Sequence, residues 1–207
     1  MRNENTIKHS GNIQPEMIRS EKDSDLPFMP NLILIAGDGR NVGKTSLAEY
    51  ILRNLSSGTA IVAVKVTPHM HELTAELKIF HQGQGFVLAE ETGINDKDTS
   101  RFLQAGAGRS FLVMSGDENL EEAFAELKKH LPADAPVIAE AGSLHKLVNP
   151  ALFFFILSRE PEIKKKQYLA HHPVILAFDG NKFEPDIEGI AFENGRVTIK
   201  LTKDGCI

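Results

Sequence analysis

The chain has 207 residues, 42% of them hydrophobic and 25% charged, a composition ordinary for one globular domain or one domain with appendages. Its formal charge of −5, from 23 Lys+Arg against 28 Asp+Glu, excludes nucleic-acid or anionic-membrane binding driven by net charge. With no Trp and 2 Tyr, an aromatic platform for single strands is not expected either. Cys206 stands alone, so no internal disulfide can form and a cytoplasmic location is the simpler expectation. The longest apolar run, Ala151 to Leu157, is far short of the roughly 20 residues of a membrane helix. Met1 to Asp25 mixes charges and shows no apolar signal-peptide core.

Residues 1–30 read as a tail, punctuated by Pro15, Pro27 and Pro30 and without apolar period. It is either a disordered extension or an arm for a partner subunit. The run Leu32 to Ala36 predicts a strand buried on both faces. Leu47, Ala48, Ile51, Leu52 and Leu55 then repeat at helical spacing, with Gly58 as a stop. Thr59 to Val66 predicts a second strand. Leu77 to Phe80 and Phe86 to Ala89 predict a hairpin around residues 81–85. A short helix over Asp96 to Ala105 follows, with Asp98 as its N-cap and Gly106 closing it. Arg109 to Met114 predicts a strand. Ser115 and Glu118 form a capping-box pattern before a helix whose apolar face is Leu120, Ala123, Phe124, Leu127 and Leu131. Pro136 to Ala139, Ala151 to Leu157 and Val174 to Phe178 predict three more strands, with a helix over Pro161 to Ala170. Ile187 to Phe192 and Arg196 to Leu201 flank Glu193-Asn194-Gly195, a strong hairpin signal. Strands alternating with helices predict an α/β fold with a doubly wound, mainly parallel sheet and a C-terminal β-hairpin. Residues 31–207 are expected to form one domain.

The chemistry-bearing segment is Gly37-Asp38-Gly39-Arg40-Asn41-Val42-Gly43-Lys44-Thr45-Ser46, between the first strand and the first helix. Small residues there let backbone N–H groups turn toward phosphate oxygens, and the helix points its positive end at the same anion. Lys44 suits the β- and γ-phosphates, and the Thr45 hydroxyl suits Mg²⁺. The common pattern puts a glycine at position 38; here that residue is Asp38 and the glycine is Gly37, so the loop is one residue longer.

Lys65 ends the second strand and is expected either to face the phosphate loop, assisting catalysis beside Lys44, or to be solvated. Glu140 ends a buried strand before Ala141-Gly142-Ser143, a place from which an acid can hold Mg²⁺ with Thr45 or pair with a lysine. His69 and His71 could share a metal but lack an evident third ligand, so a polar substrate-facing loop is preferred. Asp179-Gly180-Asn181-Lys182 reads as a turn.

The phosphate loop is similar to that of dethiobiotin synthetases, which also carry Gly, five residues, then Gly-Lys-Thr. In the dimerising members of that larger class a signature lysine stands where this chain has Asp38, and Arg40 is the nearest cation. Over residues 32–180 the chain resembles the adapter proteins of molybdopterin-guanine dinucleotide biosynthesis. The residues that carry this are the phosphate loop, Lys65-Val66-Thr67 followed by His69 and His71, Asp98-Thr99-Ser100-Arg101 with Ala105-Gly106-Ala107, and Glu140-Ala141-Gly142. Residues 72–95 have no counterpart in that family. The resemblance implies a P-loop NTPase fold that binds ATP or GTP with Mg²⁺, hydrolyses it slowly and serves a cofactor-biosynthesis enzyme. A homodimer is left open. The alternatives are an ATP-dependent ligase or kinase of the dethiobiotin synthetase type, and a nucleotide-gated regulatory module. A catalyst would need a closed pocket within residues 67–95, an adapter an exposed docking surface.

Overall fold

The computed structural model describes residues 25–159 and 162–201. The apolar run of the first strand lies within β1 (Phe28–Gly37), buried from Asn31 onward. The strand begins earlier than the run because Phe28 and Met29 pair with Asn149 and Pro150 of β8 (Asn149–Ile156). The end of the expected tail is therefore part of the sheet, while residues 1–24 lie outside the described residues. Helix α1 (Lys44–Asn54) buries Leu47, Ala48, Ile51 and Leu52 at helical spacing. It stops short of Gly58, and the two-residue β2 (Ser56–Ser57) leads to β3 (Val62–Thr67). The expected hairpin forms as β4 (Leu77–Gln82) and β5 (Phe86–Glu91). Then come α2 (Asp98–Gln104), β6 (Arg109–Ser115), α3 (Leu120–Lys128), β7 (Val137–Glu140), β8 and β9 (Val174–Phe178). The chain closes with β10 (Phe183–Glu184), β11 (Ile187–Glu193) and β12 (Arg196–Leu201).

One nine-stranded sheet runs β10-β9-β8-β1-β7-β3-β6-β5-β4. From β9 to β6 every neighbouring pair is parallel, and the outer pairs are antiparallel. α1 and α2 cover one face. On the same side sits a second sheet, β12-β11-β2, whose Ile187, Ile190, Phe192, Val197 and Ile199 join that core. Tyr50 of α1 donates its hydroxyl to Ile187 O (2.6 Å), which ties helix to hairpin. The hairpin turn has Asn194 at φ 52° and Gly195 at φ 75°, the geometry that Asn-Gly favours between twisted strands. α3 covers the other face, with Leu120, Ala123, Phe124 and Leu127 in one cluster with Phe86, Leu88, Phe111 and Val113. The sheet is thus wound on both sides.

Three local expectations are corrected. Ser115 does not cap α3: the ladder holds it opposite Phe86, its hydroxyl donates to Gly116 O, and a 3₁₀ turn at Asp117–Asn119 precedes the helix. Of the helix expected over residues 161–170, Pro161 lies outside the described residues and the rest forms only a 3₁₀ turn at Lys166–His171, because the Lys165 N–H donates to the Asp38 carboxylate (2.7 Å) and Lys165 takes a non-helical conformation. Asp98 is the first residue of α2 and Lys97 its N-cap; the Asp98 carboxylate is drawn to Lys65 instead.

The topology sets the site. The chain leaves β1 through α1 toward β3, but leaves β7 through the 3₁₀ turn Gly142–Lys146 toward β8, on the far side of β1. The ends of adjacent β1 and β7 therefore diverge, and a crevice opens between Gly37 and Glu140 at their carboxyl ends.

Candidate functional site

Register brings charged residues together at this crevice. Ile35 lies opposite Glu140, Glu140 opposite Lys65, and Lys65 opposite Leu112, so one row crosses β1, β7, β3 and β6 on the face of α1 and α2. Glu140, 3% exposed, needs compensation for its charge. It accepts from Lys65 Nζ at 2.5 Å through Oε1 and from the Thr45 hydroxyl at 2.9 Å through Oε2. Asp98 Oδ2 lies 2.8 Å from the same Lys65 ammonium, and Arg101 lies 3.8 Å from Asp98 Oδ1. Arg101 in turn donates to Glu49 at 2.6 Å.

The loop between β1 and α1 is shaped by two close approaches. A Cβ at Gly37 would fall 2.5 Å from Val42 Cγ2, so only glycine lets Val42 reach the core beneath. Gly43 caps α1 at φ 103°, and a Cβ there would meet the Phe178 ring at 2.5 Å. Asn41 also adopts positive φ, 55°. Among the described residues none accepts a hydrogen bond from the backbone N–H groups of residues 39–46. The loop and the first turn of α1 thus present a run of free donors where the helix dipole is positive. Lys44 folds back over the loop and donates to Gly39 O at 2.7 Å.

Burial pulls the Lys44 ammonium below the ordinary lysine range, helped by the Lys65 and Lys165 charges and opposed by Glu140. Burial would also lower Lys65, but the Glu140 charge and the hydrogen bonds to Asp98 and Glu140 outweigh it and hold the lysine above its ordinary range. Burial would raise Asp98, yet its hydrogen bond to Lys65 and the charge of that lysine hold the carboxyl below its usual range. Both members of the Lys65–Asp98 pair are therefore ionised at neutral pH.

Above this row opens a cleft of about 870 Å³, within the range of small-molecule sites. Its border carries six cations, Arg40, Lys44, Lys65, Arg101, Lys164 and Lys165. Its carboxylates are already engaged, Asp98 and Glu140 by Lys65 and Asp38 by Lys165 N and Ser158 Oγ. Tyr168 and Phe178 line it beside Gly142 and Ser143. Such a cleft suits a polyanion with an attached ring system.

The structure gathers the sequence-predicted residues Gly37, Gly39, Arg40, Asn41, Gly43, Lys44, Thr45, Ser46, Lys65 and Glu140 around this one cleft. Val42 is turned to the core and serves as an anchor. Asp38 borders the cleft, but its carboxylate is committed elsewhere: it accepts from Lys165 N at 2.7 Å and Ser158 Oγ at 3.2 Å. Arg40 lies at the rim, 3.4 Å from His69. His69 and His71 stand with ring centroids 6.3 Å apart, and among the described residues no three His, Cys, Asp or Glu gather as a metal-binding group. Asp179 accepts from the N–H groups of Asn181 and Lys182, the turn expected there. Lys164, Lys165, Tyr168 and Phe178 were not expected in the site, and Asp98 and Arg101 join it although neither was assigned a place there from the sequence. Asp98 and Arg101 belong to the Asp-Thr-Ser-Arg motif and were detectable through it; Lys164, Lys165 and Tyr168 are brought in by the crossing between β8 and β9, and Phe178 stands at the end of the expected strand β9. No family model, curated protein or solved structure matches the chain.

Proposed function

We propose that this protein is a P-loop NTPase that binds ATP or GTP with Mg²⁺ in the cleft between β1 and β7. The observation that carries the reading is the run of free N–H donors over residues 39–46 at a helix N-terminus, closed by Lys44 and flanked by the Thr45–Glu140 pair. The triphosphate lies along the loop, Lys44 leaves Gly39 O for the phosphates, and Lys164 and Lys165 approach from the β8–β9 side. Tyr168 and Phe178 offer surfaces for the base. Thr45 and Glu140 are hard oxygen donors of the kind that hold Mg²⁺ together with phosphate oxygens, and Asp98 is at hand beside them. Bound there, Mg²⁺ supplies neutralisation of the charge that develops between the β- and γ-phosphates.

Intrinsic hydrolysis is slow, well below the ~1–100 s⁻¹ of kinases, because among the described residues none is assigned to orient an attacking water. Slow turnover fits the adapter role in molybdopterin-guanine dinucleotide biosynthesis, with a cofactor-biosynthesis enzyme as partner, that the motif resemblance implies. The second reading, an ATP-dependent kinase or ligase, is favoured by a separate hollow of about 340 Å³ bordered by residues between Lys65 and Leu112. Thermal-shift titration of Lys44→Ala tests nucleotide binding. The variant should remain folded and lose the nucleotide-induced shift; an unchanged shift would overturn the phosphate-loop assignment.

A further inference from the structure

The second hollow meets the phosphate cleft: Lys65, Thr67 and Asp98 border both. The Lys65–Asp98 ion pair is therefore the wall between them. Beyond that wall the hollow rests on Leu112, the next residue of the cross-strand row, and on Leu77 of β4. Residues 72–95, which the family resemblance leaves without a counterpart, supply Glu72, Thr74, Leu77 and Glu91 to its border.

The hollow is built, not an accident of loops. Glu91, 3% exposed, accepts from the Thr99 hydroxyl (2.9 Å), the Gly93 N–H (3.1 Å) and the Asn95 amide (3.4 Å). Its charge is absorbed by these donors, and they fix the turn between β5 and α2 as a rigid side. Lys97, on the border, has no acidic partner among the described residues. The hollow thus offers on its border one lysine without an acidic partner, Lys97, an apolar base, and three carboxylates: the internally satisfied Glu91, the solvent-exposed Glu72, and Asp98 on the nucleotide side.

We infer that this hollow is an acceptor site and that it takes a small hydroxy acid, with its acid group at Lys97 and its hydroxyl at Asp98. The inference rests on the nucleotide reading and deepens its kinase alternative. A carboxylate on the nucleotide side disfavours an anionic nucleophile and suits a hydroxyl whose proton it can take. In the transfer, the hydroxyl oxygen bonds to the γ-phosphorus while the bond from that phosphorus to the β–γ bridging oxygen breaks. The electron pair of the broken bond stays on the departing nucleoside diphosphate. The hydroxyl proton passes to an Asp98 carboxylate oxygen, and the products are a phosphate ester and the diphosphate. Lys65, between the two hollows, steadies the charge on the transferring group.

The test uses the full chain with Mg-ATP and Mg-GTP and four acids, glycerate, malate, tartrate and shikimate, with glycerol as the neutral probe. Diphosphate release and phosphorus NMR of the product are read, and calorimetry with a non-hydrolysable nucleotide is run in parallel. At least one acid should speed diphosphate release roughly 100-fold or more, with the phosphoryl group found in an ester. Lys97→Ala, an exposed change, should raise the acceptor KM about tenfold while kcat moves little. Leu112→Trp should fill the hollow and abolish the stimulation. Nucleotide binding without stimulation by any acid would overturn the acceptor site alone. Stimulation by glycerol equal to that by the acids, or an unchanged acceptor KM in Lys97→Ala, would overturn the assigned substrate class. Absence of nucleotide binding would overturn the parent reading as well.

Discussion

Glu140→Gln is the substitution that separates a metal-site carboxylate from a merely structural one. Glu140 is buried and holds two donors, Thr45 and Lys65. Gln keeps the shape and one acceptor but loses the charge. Breaking a buried ion pair costs about 3–5 kcal/mol when the other charge is orphaned, and an exposed pair about 0–1. Here Lys65 keeps Asp98 at 2.8 Å, so the loss falls between these limits, at about 2 kcal/mol. For a domain of this size that lowers Tm by roughly 4–8 °C. A nucleotide at about 100 times its Kd stabilises by roughly 2.7 kcal/mol, so the bound form is readily seen in the same assay. Thermal unfolding is followed with and without nucleotide, in Mg²⁺ and in chelator. Wild type should show a larger nucleotide shift in Mg²⁺ than in chelator. The variant should melt lower and show the same shift in both. A variant that melts lower but keeps the wild-type Mg²⁺ dependence would refute the metal role; one that keeps both wild-type properties would refute the geometry as well.

Two further outcomes follow from the same geometry. Gly43→Ala should cost about 2–3 kcal/mol of stability, because a Cβ at φ 103° is strained and meets the Phe178 ring, and should weaken nucleotide binding in calorimetry. The pH dependence of unfolding carries the signature of the Lys65–Asp98 pair. Asp98 is held below its ordinary 3.8, so its contribution is present above that value and is lost as pH falls through the lower folded value. Lys65 is held above its ordinary 10.5, so its contribution is complete below that value and is lost as pH rises through the higher folded value. The pair's own contribution to unfolding in denaturant should be flat near neutrality, and Asp98→Asn should remove part of the acid loss.

The periodic elements were legible because each is specified by its own residues. The apolar run of β1, the helical spacing of α1 and α3, and the Asn194-Gly195 turn all form as expected. Where tertiary partners competed, local reading failed. Ser115 and Asp98 have cap-forming side chains, but strand pairing claims one and a lysine from β3 claims the other. The Thr45–Glu140 contact spans 95 residues and Lys65–Glu140 spans 75. Sequence located each member at a strand or helix end; only the register of β7 between β1 and β3 makes them neighbours. The hairpin at residues 77–91 was legible as a shape, but its use as the border of a hollow depends on its joining the edge of β6.

The extra loop residue has a physical account in Asp38. A carboxylate inside a phosphate loop would repel the anion, and this one is turned away, 2% exposed, onto Lys165 N and Ser158 Oγ. Those two donors belong to the crossing from β8 to β9, the segment that carries Lys164 and Lys165 to the border of the cleft. Among its described residues that crossing has only a 3₁₀ turn to order it, so a hydrogen bond at its middle does what a helix would otherwise do. On the proposed nucleotide reading, the added residue converts a charge that would oppose phosphate binding into the tether that positions two charges favouring it. Phe178 acts from the same side: its ring lies where a Cβ on Gly43 would be, so β9 also fixes the point at which α1 begins. The phosphate loop is thus held from below by Val42 and from the β8–β9 side by Asp38 and Phe178. On the same proposed reading its backbone donors are held in place before an anion binds, which is the condition under which such donors contribute most.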